Sequence, residues 1–400
     1  MNIQTLKNYI QSANVSFLLG SGCSRPFLST LGNVEKLLTE LDADNTSPKE
    51  AKVIVKASIY KAYFEAAIYP NLSMEPNAER AKSIGEYKTF LSTWNEIISK
   101  RGSRLLAKQV NIYTTNVDTL IENAAEHVSV ELNDGFKGSV HQFFEESNFQ
   151  KLVSKTSLHF QNVSELPVFN LMKIHGSINW KQGDGNKIAN DFTLNVVKEI
   201  QDALSKIPTT AFVPLSHVKD GKIIQHTYSE LICDAEIDGP SDTTIFKPFL
   251  DKYEKLIMVN PTKQKFVETV MDMHFYEMMR LYSNSLEREN TLLLVAGFSF
   301  ADEHIANLTI RAANANPTLQ IIIFAHSDDE EESFREKLQM KPSAANNNIR
   351  ILTPQQLRDS NITERCYDKI KDINNFGLKE LNTLFGAIND QIPVKYGEQL

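Results

Sequence analysis

The 400-residue chain predicts an α/β fold built on a Rossmann-like, mostly parallel sheet with helices on both faces. Three observations carry this. Short apolar runs of strand length recur along the chain, helical patterns follow most of them, and four of the runs end in glycine or polar residues. In open parallel sheets those carboxyl ends are where the ligand crevice lies. With 42% apolar and 23% charged side chains, the composition supports a large buried core and excludes disorder, collagen and coiled coil.

The first strand is expected over 15–19 (Val-Ser-Phe-Leu-Leu), followed by Gly20 and Gly22. With only 16 glycines in the chain, a pair this close is informative. A helical pattern follows, Leu31, Val34, Leu37, Leu38 and Leu41. Residues 49–69 and 78–99 carry apolar side chains at three- and four-residue spacing, with Pro70 and Pro76 between them, and read as two long helices. Together with the preceding pattern they suggest an inserted helical subdomain at about 31–100. Further strands are expected at 110–113, 168–174, 256–259, 292–296, 319–324 and 349–352, and the polar, turn-rich stretch 181–248 as an insertion of loops and short strands. One domain of 1–360 then remains, with a helical extension over 361–400 that carries the amphipathic set Leu378, Leu381, Leu384 and Phe385.

A net charge of −8 lacks the basic footprint of a nucleic-acid binder, so no direct nucleic-acid contact is expected. No apolar run approaches a membrane span, and the chain is expected to be cytoplasmic. Cys23, Cys233 and Cys366 form no CxxC pair, which argues against a disulfide framework and a cysteine zinc site. His304, and the pair His274 and Glu277, lack further ligands at convincing spacing, so no metal is expected.

Chemistry is expected where four strands end: Gly20-Ser21-Gly22-Cys23-Ser24, Thr114-Thr115-Asn116-Val117-Asp118, His175-Gly176-Ser177, and Gly297-Phe298-Ser299-Phe300-Ala301-Asp302. A glycine loop before a helix lets backbone N–H groups approach a phosphate, although a plain tight turn looks the same. A dehydrogenase would add an acidic strand end about 20 residues on; that region here, 35–44, is helical. Asn116 or Asp118 could simply cap the helix beginning at Thr119, His175 could be a satisfied core histidine, and Asp302 reads as the cap of the next helix. Ser327 and Glu330 have capping-box spacing.

In their order, GSGCS, TTNVD, HGS and GFS, these clusters resemble the sirtuin-like family of NAD-consuming proteins, and the resemblance covers most of the chain. Two departures matter. The four-cysteine zinc ribbon that follows the HG motif in sirtuin deacylases is absent, and Arg25-Pro26-Phe27 stands where they continue GIPDFR. What remains is similar to divergent bacterial sirtuin-like NAD hydrolases of antiphage defence, some of which act beside a HerA-type ATPase. The resemblance implies NAD as substrate, and the missing cysteine cluster predicts no zinc. It implies that Asn116 positions water and ribose, that Asp118 lies near the nicotinamide amide, and that Gly20, Gly22, Ser24, Thr114, Gly297 and Ser299 hold the rest of the dinucleotide. His175 is the candidate base on water or a ribose hydroxyl. The pyridinium leaving group departs neutral, so no general acid is required. The expected activity is NAD glycohydrolysis to nicotinamide and ADP-ribose. A non-catalytic NAD- or ADP-ribose-sensing module is the alternative, and a zinc-free deacylase a weaker one. Because an uncontrolled NAD hydrolase would deplete its own cell, a homo-oligomer, a HerA-type ATPase partner, or both are expected to control it; the apolar surfaces of the two long helices and the C-terminal stretch could supply those contacts, and ordinary packing over the sheet accounts for each of them as well.

Overall fold

The computed structural model describes residues 1–28, 34–72, 77–101, 106–159, 161–219, 222–259, 270–340 and 346–393. Leu31 and Pro76 lie outside the described residues. The central sheet has seven strands: β1 (Asn14–Leu19), β2 (Gln109–Thr114), β3 (Glu131–Asn133), β4 (Val168–Lys173), β5 (Thr291–Ala296), β6 (Gln320–Phe324) and β7 (Ile349–Leu352). They lie in the order β7-β6-β5-β1-β2-β4-β3, every neighbouring pair parallel. β1 is central, and the chain steps to one side of it through β2 and β4, then returns to the other side at β5. The reversal of strand order between β1 and β5 is a topological switch point, the place where doubly wound sheets put their ligands.

Strand side chains alternate between two buried faces, as a sheet covered on both sides requires. Phe17, Leu19, Ile112, Leu171 and Leu294 face one core, which is closed by α1 (Ile3–Ser12), α4 (Ala78–Ser99), α5 (Leu120–Val128) and the C-terminal helix Leu378–Asn389. There Trp94 stacks edge-on at 4.8 Å from Phe17 and 5.0 Å from Phe385. Leu18, Tyr113, Met172, Leu293 and Ile321 face the other core, closed by α9 (Val270–Glu287) and α10 (Glu303–Ala315). A separate core joins α2 (Val34–Ala43), α3 (Lys49–Tyr63), α6 (Asn195–Leu204), α7 (Tyr228–Asp238) and α8 (Lys247–Tyr253), and reaches the sheet through Val117 and Ile178 in the loops after β2 and β4.

Several expectations are corrected. Of the two long helices, only α3 belongs to the separate helical body; α4 packs on the sheet, because Tyr87, Phe90, Leu91 and Trp94 supply an apolar stripe that meets β1. The C-terminal stretch is not an extension, since Leu378, Leu381, Leu384 and Phe385 are all buried in that same core. The apolar surfaces expected to serve self-association or a partner are therefore consumed inside the chain. The strand expected at 256–259 is a clamp instead: Ser177 N–H donates to the Ile257 carbonyl (3.1 Å) and Val259 N–H to that of His175 (2.8 Å), so its backbone is satisfied by the HGS loop. The 181–248 insertion holds α6, α7 and a hairpin pairing Ser216–Lys219 with Lys222–Gln225. Ser327 makes no side-chain cap; Glu330 takes the His326 N–H at 2.8 Å. Among the described residues, no helix is long and apolar enough to cross a membrane.

Candidate active site

The strand register sets one row. Ala296, Leu19, Thr114 and Lys173 are side-by-side partners on β5, β1, β2 and β4. All four polar clusters leave from that row, on strands about 5 Å apart. Sequence positions spread over nearly 300 residues are thereby gathered on one rim.

At the switch point the backbones interlock. Gly20 N–H donates to the Ala296 carbonyl and Gly22 N–H to that of Gly297, both at 3.0 Å. A Cβ on Gly20 would stand 2.3 Å from the Gly297 oxygen. Gly297 has φ +61° and would place its own Cβ 2.5 Å from the Cys23 nitrogen. Glycine at these positions thus has a packing reason, and the Gly20 and Gly22 amides expected at a phosphate are already engaged. Cys23 is buried beside them, its thiol pushed up to about 12 by burial and by the Asp118 carboxylate, which leaves no thiolate for nucleophilic chemistry.

Beside this junction the side chains form a connected network. Thr114 Oγ donates to the Leu19 carbonyl (2.8 Å) and accepts the Asn116 N–H (3.0 Å). Asn116 Nδ2 donates to the Gly20 carbonyl (3.2 Å) and to Ser24 Oγ (3.1 Å). Ser24 Oγ donates in turn to Asp118 Oδ2 at 2.9 Å, while Asp118 Oδ1 accepts the Leu120 N–H at 3.0 Å. Thr114, Asn116, Ser24 and Asp118 are all buried. With its amide nitrogen committed, Asn116 presents Oδ1 as a buried acceptor that has no hydrogen-bond partner among the described residues. Such an orphan calls for an explanation, and a bound ligand or water supplies one.

Two tyrosines that no local motif marks complete this region. Tyr87, buried on α4, lies 3.3 Å from Ser24 Oγ, and burial with the charges near it lifts its phenol well above the usual value. Half-buried Tyr63, at the end of α3, is pushed up to about 12 by burial and by the Asp118 carboxylate. It stands where a π-helical turn, Phe64–Ile68, begins; such turns concentrate at functional sites.

At the end of β4, buried Lys173 pairs with Glu122 Oε1 (2.7 Å), donates to Ser177 Oγ (2.9 Å) and donates to the Asp118 carbonyl. Two residues on, His175 projects with its side chain 15% exposed, and its Nε2 lies 3.1 Å from Asp302 Oδ2. Asp302 is indeed the cap of α10, Oδ1 accepting the N–H groups of His304 and Ile305; that it also meets His175 has no signal in local sequence. Behind β4, buried His274 bonds the Lys173 carbonyl at 3.0 Å between the rings of Phe144 and Trp180, and burial pushes its imidazole down to about 4. Ser299 stands apart, exposed, with its carbonyl accepting from Lys337. The structure thus unites Gly20, Gly22, Ser24, Thr114, Asn116, Asp118 and Gly297, and ties His175 to the same rim through Asp302. Among the described residues, no group of three or more His, Cys, Asp or Glu is placed to hold a metal. A cavity of about 310 Å³ lies at the β7 edge, lined by Met1, Arg335, Ile349 and Arg350 among others, and includes none of these motif residues.

Fold and rim define an α/β protein of Rossmann-like architecture, with a polar, histidine-bearing cluster at the carboxyl edge of its sheet. No protein-family model matches the chain, and no curated protein matches it.

Proposed function

We propose that the chain is an NAD glycohydrolase that cleaves the nicotinamide–ribose bond to nicotinamide and ADP-ribose, related to the sirtuin-like NAD hydrolases of antiphage defence. The observation that carries this reading is the single register row from which the four family-like motifs emerge, with Asn116 Oδ1 buried there and without a hydrogen-bond partner among the described residues. Bond cleavage here needs a held ribose, stabilisation of an oxocarbenium-like transition state, and a nucleophile set against C1′. Asn116, its nitrogen anchored, offers its oxygen to a ribose hydroxyl or to the attacking water. His175 takes the proton from that water or hydroxyl. Asp118 supplies negative charge and an acceptor beside the leaving nicotinamide. Gly20, Gly22 and Gly297 shape the floor through close backbone packing; Ser24 and Thr114 fix the polar wall, and exposed Ser299 lies at the outer margin for the adenine-side ribose. NAD is the substrate, and no zinc takes part.

Control by self-association, by a HerA-type ATPase or by both belongs to this proposal. It now has to use surfaces other than the helices buried in the cores. Incubation of the purified chain with NAD, with products resolved by mass, tests the activity: nicotinamide and ADP-ribose in equal amounts are expected, and intact NAD after prolonged incubation, alone and with the ATPase, would refute it.

A further inference from the structure

We infer that Asp302 is the positioning residue for His175, holding the imidazole as its Nε2–H tautomer so that Nδ1 is the nitrogen that accepts a proton. The reaction this serves rests on the reading above; the geometry does not. Asp302 Oδ1 is fixed by two backbone donors at the start of α10, the N–H groups of His304 (3.0 Å) and Ile305 (3.3 Å). Its other oxygen is thereby aimed, and it meets His175 Nε2 at 3.1 Å in a contact where the two side chains are only 7% and 15% exposed. A carboxylate offers acceptors alone, so the facing nitrogen has to donate, and in a neutral imidazole the other nitrogen is then the acceptor.

The choice of residue points the same way. A helix cap needs one oxygen, and Ser, Thr or Asn caps as well as Asp. The second oxygen of Asp302 is surplus to capping and is the one spent on His175. The pair also spans the rim, because Asp302 follows β5 and His175 follows β4, with β1 and β2 between them in the sheet. One carboxylate therefore couples the start of α10 to the candidate base across the strands that carry Gly20 and Asn116.

Two variants separate the roles. Asp302→Ser keeps a capping oxygen and removes the contact with His175. Asp302→Asn has one oxygen, which the helix N–H groups claim, turning the NH2 toward Nε2 and reversing the tautomer. The ¹⁵N spectra of histidine-labelled protein, with His175 assigned by its loss in His175→Gln, should show Nε2–H alone in the wild type, Nδ1–H in Asp302→Asn and a tautomer mixture averaged by exchange in Asp302→Ser. Thermal midpoints should fall only by the few degrees that one lost hydrogen bond costs, leaving the protein folded at the assay temperature, and kcat for NAD cleavage should fall on the order of 10²-fold or more with KM little altered. A wild-type His175 protonated on Nδ1, an Asp302→Asn protein that keeps the Nε2–H tautomer, or an Asp302→Ser protein with full turnover would overturn the assignment. If the wild type cleaves no NAD, the proposed reaction fails while the tautomer measurement still decides the role of Asp302.

Discussion

Between β5 and β1 the rim is held by backbone against backbone, with Gly20 and Gly22 donating to the Ala296 and Gly297 carbonyls at distances no Cβ would permit. Around β2 it is held by side chains: Asn116 bonds the Gly20 carbonyl and Ser24, Ser24 donates to Asp118, Lys173 donates to the Asp118 carbonyl and His175 meets Asp302, while Asn116 Oδ1 has no hydrogen-bond partner among the described residues. Both halves are marked in sequence by glycine or polar residues, yet one is closed by backbone packing and the other by side-chain bonds that leave a buried acceptor without a partner among the described residues. Motif residues that look alike as ligand contacts can thus differ in which of their atoms remain available.

That contrast is breakable in order of effect. The largest change is expected from the side-chain half: His175→Ala and Asn116→Ala should each reduce NAD cleavage by roughly 10²–10⁴-fold while the folded signal persists, Asn116→Ala losing about 1–2 kcal/mol of stability for its severed hydrogen bonds. Steady-state turnover and circular dichroism on the same samples check this. In the glycine half the loss should fall on folding instead. Gly297→Ala combines a backbone clash with a left-handed residue and should destabilise by about 3 kcal/mol or more, and Gly20→Ala by a comparable amount. Gly85→Ala, inside α4 with open space around its Cβ, should be neutral or stabilising by under about 1 kcal/mol. Denaturant midpoints would separate Gly85→Ala from the other two.

A third test loosens the β4 end alone. His274 is held neutral to about pH 4, while in the unfolded chain it titrates near 6.5. Its folded pKa is lowered, so between those values the unfolded chain binds the extra proton. Stability from this group is intact above about pH 6.5 and falls by up to about 3 kcal/mol as pH drops toward 4. His274→Phe, which keeps an aromatic ring between Phe144 and Trp180, should flatten the pH dependence of unfolding by about one proton near pH 5, at the expense of the Lys173 contact at every pH. The smallest effect is expected from chelation: with no cysteine cluster in the sequence, metal removal should leave NAD cleavage unchanged, and a chelator-sensitive rate would return the deacylase reading to consideration.

Much of this molecule is local and legible. Apolar runs bounded by glycine or polar residues marked six of the seven sheet strands, missing only the three-residue edge strand Glu131–Asn133, and the Asp302 cap was readable because capping acts over three residues. The positions at which the rim's residues occur were set by sequence in the same sense. The row that unites them was decided by tertiary structure, since register and strand order follow from which faces the strands bury. So was the meeting of His175 with Asp302, 127 residues apart, and of Tyr87 with Ser24, because neither periodicity nor capping reports which distant helix covers which strand. The same reason explains α4 and Leu378–Asn389. Their apolar stripes were evident from spacing, but only packing against Phe17 and its neighbours determined that those stripes face the sheet rather than a partner.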